Sequence, residues 1–364
     1  MSFNRYQFAK RKLALVIAAH NEEMVLADTI ASAKAAGQHP ADIYVVNDSS
    51  TDATQEIAVR LLGEANVLEV TRSGKAKAVM QAIAHFRIVD RYYWMHIADA
   101  DGVFTVTYFR ELKSRLNLSY VAATGYIQSL KGGWISKYRL YEYTVGLEIM
   151  RRIQAFLGVI PVIPGPTSIY RTDVLNKLDF MGDTLTEDMD ITFQIHRQKL
   201  GKIAFIPEAK TYTQDPRDFS DYLKQITRWY RGNFQVMQRH KIGRRMQRLD
   251  AYVSYVMLEQ GILIAQLIAY PFMAWWSQSY GPLALMFITD FIVFLGFTIW
   301  AASINKRPDV IEAFPLFYVL RMVNLFVFMK AWYEIVVRRK FQSAAPGWDV
   351  AGRRYRITAD AIGN

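Results

Sequence analysis

The chain has 364 residues, a formal net charge of +11, no cysteine and a mean hydropathy of +0.03. With 52% hydrophobic and 14% aromatic residues it is too apolar for a disordered chain. The lack of cysteine excludes disulfides and thiolate metal sites, which suits a reducing compartment. A basic surplus suits nucleic acid, anionic lipid or an anionic substrate, and position separates these. Arg228, Arg231, Arg239, Lys241, Arg244, Arg245 and Arg248 crowd just before the first long apolar run, and basic residues recur at 338–356. That placement favours lipid headgroups over nucleic acid. The opening MSFNRYQFAKRK is polar and basic, and LALVIAA is a short apolar run, so no signal peptide is expected.

In chain order, Leu13 to Ala19 reads as a first strand, closed by the polar turn HNEE, with a helix-like stretch from Glu22 to Ala36. DIYVVNDSSTDAT repeats the pattern: a strand from Ile43 to Val46, Asn/Asp/Ser punctuation, then a helix from about Thr54. NVLEV is a third strand. SGKAKAVMQAIAHF opens on Gly74 and continues as a helix. RYYWMHIADADG is a fourth strand ending in acids. Strands alternate with helices, and polar residues gather at strand C-termini. This predicts an α/β, doubly wound, Rossmann-like sheet with a site at the carboxyl edge.

From Phe219 the rhythm changes. Phe219, Tyr222, Leu223, Ile226, Trp229, Tyr230, Phe234 and Met237 recur every three or four residues, the pattern of an amphipathic helix. Two apolar runs follow, Val253–Trp276 and Pro282–Ile304, each long enough to cross about 30 Å of hydrocarbon. The joint SQSYG is uncharged, whereas basic residues precede the first run and Lys306 and Arg307 follow the second. This asymmetry puts the α/β domain in the cytoplasm, on a chain integral to the cell (inner or plasma) membrane. A third segment, 314–337, holds Arg321, Lys330 and Glu334; it either spans with those groups facing protein or lies in the interface. The expected organisation is a tail at 1–12, the α/β domain at 13–214, interface helices at 215–250, a membrane region at 251–340 and a basic tail at 341–364.

Five short stretches carry chemistry, and each also has a plainer reading. Asp99 and Asp101 in ADADG suit a hard divalent cation that holds a diphosphate, or simply an acidic turn. Asp48 in NDSSTD offers acceptors to a base or ribose, or makes an Asx turn. Lys75 in SGKAKA, at a helix start, can meet a phosphate, or is simply one of the lysines common at helix starts. In TLTEDMD, Thr184 and Glu187 match a capping box, while one carboxylate suits a general base. Gln225, Arg228 and Trp229 in QITRW share one helix face, apt for a diphosphate and a stacked sugar, or for an ordinary interfacial helix.

Their order is more specific than any one of them. AAHNEE, VVNDSSTD, GKAKA, DADG, YEY at 141–143, IPGPTSIYR at 163–171, TEDMD and QITRW together resemble the motifs of family 2 glycosyltransferases. The similarity is to the membrane-embedded processive group, which includes cellulose, chitin, hyaluronan and poly-N-acetylglucosamine synthases. Two positions depart from the family's DDGSTD: Asn47 replaces its first Asp and Ser49 its Gly. The resemblance implies a GT-A catalytic domain and a UDP-sugar donor, UDP-N-acetylglucosamine foremost. Ala19, Asn21, Glu22, Asp48, Lys75, Asp99 and Arg228 would bind the nucleotide sugar, and Asp101 with Asp99 would hold Mg²⁺ or Mn²⁺. Asp188 would be the general base, with Glu187 beside it, and Gln225, Trp229 and Gly165 would meet acceptor or product. The implied partners are a growing polysaccharide or lipid-linked acceptor, the bilayer, and export proteins or further copies of the chain, with no nucleic acid. Two alternatives stay open: a non-processive transferase that adds one sugar to a lipid, and a silent nucleotide-sugar-binding subunit.

Overall fold

A computed structural model describes residues 13–180 and 184–340; the tails at 1–12 and 341–364 lie outside the described residues. Four strands open the domain: β1 (Leu13–Ala19), β2 (Ile43–Asp48), β3 (Val67–Val70) and β4 (Trp94–Asp99). Helices α1 (Leu26–Ala35), α2 (Thr54–Leu62) and α3 (Lys75–His85) connect them. The short β5 (Val103–Phe104), α4 (Tyr108–Arg115) and the long β6 (Tyr120–Ser129) follow. Next come α5 (Trp134–Val145), which runs on through a π-helical turn at Gly146–Arg151, and β7 (Ser168–Arg171). Helix α6 (Glu187–Arg197) and strand β8 (Lys202–Thr213) complete the domain.

The eight strands form one sheet in the order β3-β2-β1-β4-β7-β6-β8-β5. β1 is buried throughout, as a strand covered on both faces must be. Its side chains alternate between two cores: Ala14, Val16 and Ala18 on one face, Leu13, Leu15 and Ile17 on the other. The first four strands are parallel, as the alternation of strand and helix predicts. The doubly wound pattern does not extend across the sheet. β7 runs antiparallel to both β4 and β6, because the chain returns to the sheet after the helical excursion of α5 rather than through a simple crossover. The strand order reverses direction between β1 and β4, where Ala18 lies opposite Asp99. Ligands of open α/β sheets bind at such a switch point.

Four long helices follow the sheet: α7 (Phe219–Arg239), α8 (Arg248–Ser277), α9 (Gly281–Ile304) and α10 (Phe314–Trp332, extended by a π turn to Val337). The last three are long and apolar enough to cross a membrane. The root of α8 packs on the domain through Leu249 and Val253, against Met189, Phe193 and Val236, and α9 packs on α5 through Phe294 and Ala302 against Ile135, Tyr138 and Leu140. Helix α10 instead lies along α7. Tyr222 donates to Asn324 at 2.7 Å, Arg231 to Glu334 at 2.8 Å, and Gln238 to the carbonyl of Ile335 at 3.2 Å. The contacts advance together along both helices, so the two run side by side in the same direction. Of the charges in 314–337, Arg321 meets Asp290 of α9 through two bonds of 2.9 and 3.0 Å, and Glu334 meets Arg231. Lys330 is exposed.

Candidate active site

The edge of the parallel strands is built largely from backbone. Asp48 ends β2 with its carboxylate buried, accepting from the Ser73 amide at 2.7 Å and the Gly74 amide at 2.8 Å. It therefore fixes the loop that launches α3. Gly74 has φ +85° at the start of that helix, a conformation that needs no Cβ. Lys75 follows, and its ammonium pairs with Asp99 and lies 3.9 Å from Glu187. Burial alone would lower the lysine's pKa, but Asp99 and then Glu187 outweigh it and raise it. Lys75 is thus a permanent cation at the sheet edge.

The two departures from the glycosyltransferase motif have local explanations. Asn47 is fully buried; its amide accepts from the Ser50 amide at 3.1 Å and donates to Gln55 at 3.0 Å, so a neutral side chain is satisfied where a buried charge would need compensation. Ser49 occupies the glycine position with φ +54°, and its hydroxyl donates to the carbonyl of Val70 at 2.9 Å. The neighbouring loop is zipped to this one. Asn21, at φ +54°, accepts from the Thr51 amide at 2.8 Å, and the buried Glu22 donates its amide to Thr54 at 2.8 Å. Ala19 is the buried last residue of β1.

Gly165 packs against the Lys75–Asp99 pair. A Cβ there would lie 2.8 Å from the lysine nitrogen and 3.1 Å from an Asp99 oxygen. It thus adjoins the cation–carboxylate pair. Its loop is held from both sides, by Thr192 accepting from the Ile163 amide at 3.0 Å and by the buried His96 ring 3.3 Å from the Pro166 carbonyl. Burial lowers His96 to about 3, so it is neutral. Asp101 is buried, and with Arg139 and Glu142 it shapes the field at Asp215. Burial pushes Asp215 up to about 7.

Helix α6 begins at Glu187, one residue after Thr186. The capping box expected from Thr184 and Glu187 does not form: neither the Thr184 nor the Thr186 hydroxyl caps the helix. The reason is that α7 presses on this turn. A Cβ at Gly232 would lie 2.5 Å from Thr186 Cγ2, so the glycine lets the two backbones approach. Gln235 accepts from the Leu185 amide at 3.0 Å, and Arg228 donates to the Leu185 carbonyl at 3.3 Å. The helix start is therefore pinned by its neighbour rather than by its own threonines.

Within this helix the acids divide. Glu187 faces Lys75. Asp188 accepts from the Met189 amide at 2.8 Å, and its carboxyl is raised to about 6, by burial first and by Glu187 second, against the pull of that amide, Lys75 and Arg228. Asp190 is buried and bonds His240 at 2.8 Å and Gln194 at 2.9 Å, which ties α6 to the end of α7. Arg197 reaches Asp250 at the root of α8 with a bond of 2.8 Å.

On α7, Gln225 accepts from Arg139 at 2.7 Å, and the Arg139 guanidinium lies 4.6 Å from the centre of the Trp229 ring. The structure thus joins Lys75, Asp99, Gly165 and Glu187 in one group, sets Asp188 in the field of Lys75 and Arg228, and brings Gln225 and Trp229 together over Arg139. Asp48, Asn21, Glu22 and Ala19 shape the loops behind the first group. Sequence reasoning passed over Arg139, His96 and Gly232. Arg139 sits two residues before YEY, and Gly232 lies one turn beyond QITRW; nearness to a motif was their only signal.

The sequence model described as "Glycosyltransferase like family 2" matches residues 10–232. The chain is 25% identical over 252 residues to the poly-beta-1,6-N-acetyl-D-glucosamine synthase of Staphylococcus epidermidis, covering 65% of this chain and 60% of that one. It is 23% identical over 261 residues to the synthase of the same name from Staphylococcus aureus strain COL, covering 69% and 61%. The chain therefore spans about 60% of the length of these relatives. A mannosyltransferase from Pyrobaculum calidifontis, solved with GDP-Man and Mn²⁺, superposes with a TM-score of 0.58 over 84% of this chain and 86% of that one, at 15% identity. That likeness is one of fold, GT-A. The family match over most of the domain, on a sheet whose switch point gathers the family's motifs, makes this chain a member of glycosyltransferase family 2.

Proposed function

We propose that the chain transfers N-acetylglucosamine from its UDP-sugar to the end of a growing β-linked polysaccharide at a membrane, processively and with inversion. The observation that carries this reading is Asp188. It is a carboxylate raised to about 6, ionised at neutral pH yet a stronger base than an ordinary aspartate, set in the field of the cations Lys75 and Arg228. Asp188 takes the proton of the acceptor hydroxyl as that oxygen attacks the anomeric carbon. The bond from that carbon to the diphosphate breaks on the opposite face, which turns an α-linked donor into a β-linked product. Negative charge grows on the leaving diphosphate, where Lys75 and Arg228 offset it. One displacement suffices, so no nucleophile on the protein is required.

Asp99, which ends β4 at the switch point, and the buried Asp101 two residues on suit a divalent cation by their chemistry as hard-oxygen donors. Among the described residues no three His, Cys, Asp or Glu side chains gather into a metal cage. The pair fits an ion of the Mg²⁺ type, which takes one or two carboxylates plus substrate phosphates and keeps water. Such an ion would supply further charge neutralisation at the diphosphate. The Mn²⁺ of the mannosyltransferase structure supports this assignment. The names of the staphylococcal relatives support N-acetylglucosamine. The apolar α8 and α9, with basic flanks at Arg248 and Lys306, support insertion in a membrane with the catalytic domain on the cytoplasmic side.

The test incubates the purified chain with Mn²⁺ and a panel of UDP-sugars, measures UDP release and sizes the product. Release with UDP-N-acetylglucosamine, lost on chelation and yielding a polymer, is the expected result. A single sugar on a lipid acceptor overturns processivity, and no release with any donor overturns the catalytic reading.

A further inference from the structure

Arg139 lies on α5, outside the motifs that define the site, yet it is wired into both residues expected to meet the acceptor. Its side chain is buried, between the rings of Tyr222 and Trp229, with the guanidinium carbon 4.7 and 4.6 Å from their centres. One nitrogen donates to Glu142 at 2.7 Å and another to the Gln225 carbonyl oxygen at 2.7 Å. Glu142 in turn accepts from Asn324 of α10 at 3.2 Å. A guanidinium is planar, permanently charged and only a donor, so its two forks impose direction on whatever they bond.

We propose that Arg139 is a positioning residue that fixes the polarity and the face of acceptor recognition. The inference rests on the reading of Trp229 and Gln225 as the acceptor platform. Two consequences follow from the geometry. The amide of Gln225 must turn its oxygen toward Arg139, because a guanidinium has nothing to accept with. Its nitrogen then points away and offers N–H donors, so the acceptor group recognised there is an oxygen, either a sugar hydroxyl or an acyl carbonyl. The cation also occupies one face of Trp229, so a sugar ring that stacks on this residue takes the opposite face. A lysine at position 139 would keep the charge but lose the two-forked geometry.

Gln225→Glu separates this role from mere packing. The new carboxylate still accepts from Arg139, so the buried cation keeps its partner, but it presents no N–H to a ligand. The full chain is purified in detergent, and binding of a β-1,6-linked N-acetylglucosamine oligosaccharide is measured with UDP present; UDP binding is measured in parallel. Both Gln225→Glu and Arg139→Met are expected to weaken the oligosaccharide about tenfold, the worth of a hydrogen bond, with UDP affinity unchanged. Arg139→Lys should fall between Arg139→Met and the wild type. Should Arg139→Met lose UDP binding as well through misfolding, Gln225→Glu decides alone. Wild-type oligosaccharide affinity in Gln225→Glu overturns the proposal. A wild-type chain that binds UDP but no oligosaccharide overturns instead the reading of Trp229 as an acceptor platform, a separate failure.

Discussion

The two halves of the site are held by different means. At the sheet edge, Asp48 anchors a loop through two backbone amides, Lys75 starts the helix that this loop launches, and Asp99 ends a central strand. These positions follow from strand register and local turns. The helical half has no such frame. Asp188 comes under the field of Arg228, and Gln225 and Trp229 come together over Arg139, because α7 fits against the start of α6 at Gly232, bonds Arg139 of α5, and is flanked along its length by α10. A sheet edge tolerates change in its surroundings. A junction of four helices depends on each contact between them, and its geometry is the easier to disturb.

That contrast yields predictions. The largest effect outside the reacting groups is expected at the helix junction. Gly232→Leu forces α7 away from Thr186, and displacement by an ångström or so should lower turnover about 10²-fold. UDP affinity, measured by calorimetry, should change far less. A variant that loses both in proportion would mean that the halves are not independent. At the sheet edge, Gly165→Ala crowds Lys75 and Asp99; it should weaken UDP by about tenfold while oligosaccharide affinity holds, since one charged contact is worth on the order of 1.5–3 kcal/mol. Next, Glu334→Gln removes the carboxylate that holds Arg231 and should destabilise the junction of α7 and α10 by about 1 kcal/mol. Denaturation followed by tryptophan fluorescence reads this loss. The smallest effect runs the other way. Ser49→Gly relieves a left-handed serine, and despite the loss of its bond to Val70 the balance should favour glycine by about 0.5 kcal/mol, seen as a higher midpoint of unfolding with unchanged turnover.

The same contrast explains what the sequence made legible. The strands, the helix starting at Lys75 and the acids at the end of β4 are written in contiguous residues, so periodicity and turn chemistry reach them. QITRW could be set on one face of a helix for the same reason. What that face would touch could not be read, because Arg139 lies 86 residues away in sequence from Gln225. The capping box failed on similar grounds: Thr184 and Glu187 have the right spacing, but tertiary contact with Gly232 and Gln235 decides how the helix begins. The direction of β7 was hidden because β7 is four residues long and follows a helical excursion rather than a simple crossover. Helices α8 and α10 teach one more point. They have similar mean hydropathy, yet none of the most apolar stretch of α8 is buried, whereas 28% of that of α10 is. Hydropathy reports fitness for an apolar environment, and α10 finds part of its own against α7.

The central claim is that Asp188 is the base of an inverting transfer, and its pH dependence tests that claim most directly. The folded protein raises this carboxyl from the usual aspartate range to about 6, so it is protonated and inactive below that pH and ionised above it. UDP release by the wild type should therefore climb as pH rises through about 6 and then level. Because the pKa is raised on folding, ionisation of Asp188 also lowers stability as pH rises through the same range, and Asp188→Asn should unfold at a higher temperature at neutral pH than the wild type. Turnover in Asp188→Asn should fall by about 10²–10⁴, with no rise near pH 6 and with UDP still bound. A variant with near-wild-type turnover, or one that keeps the climb through pH 6, would contradict the account.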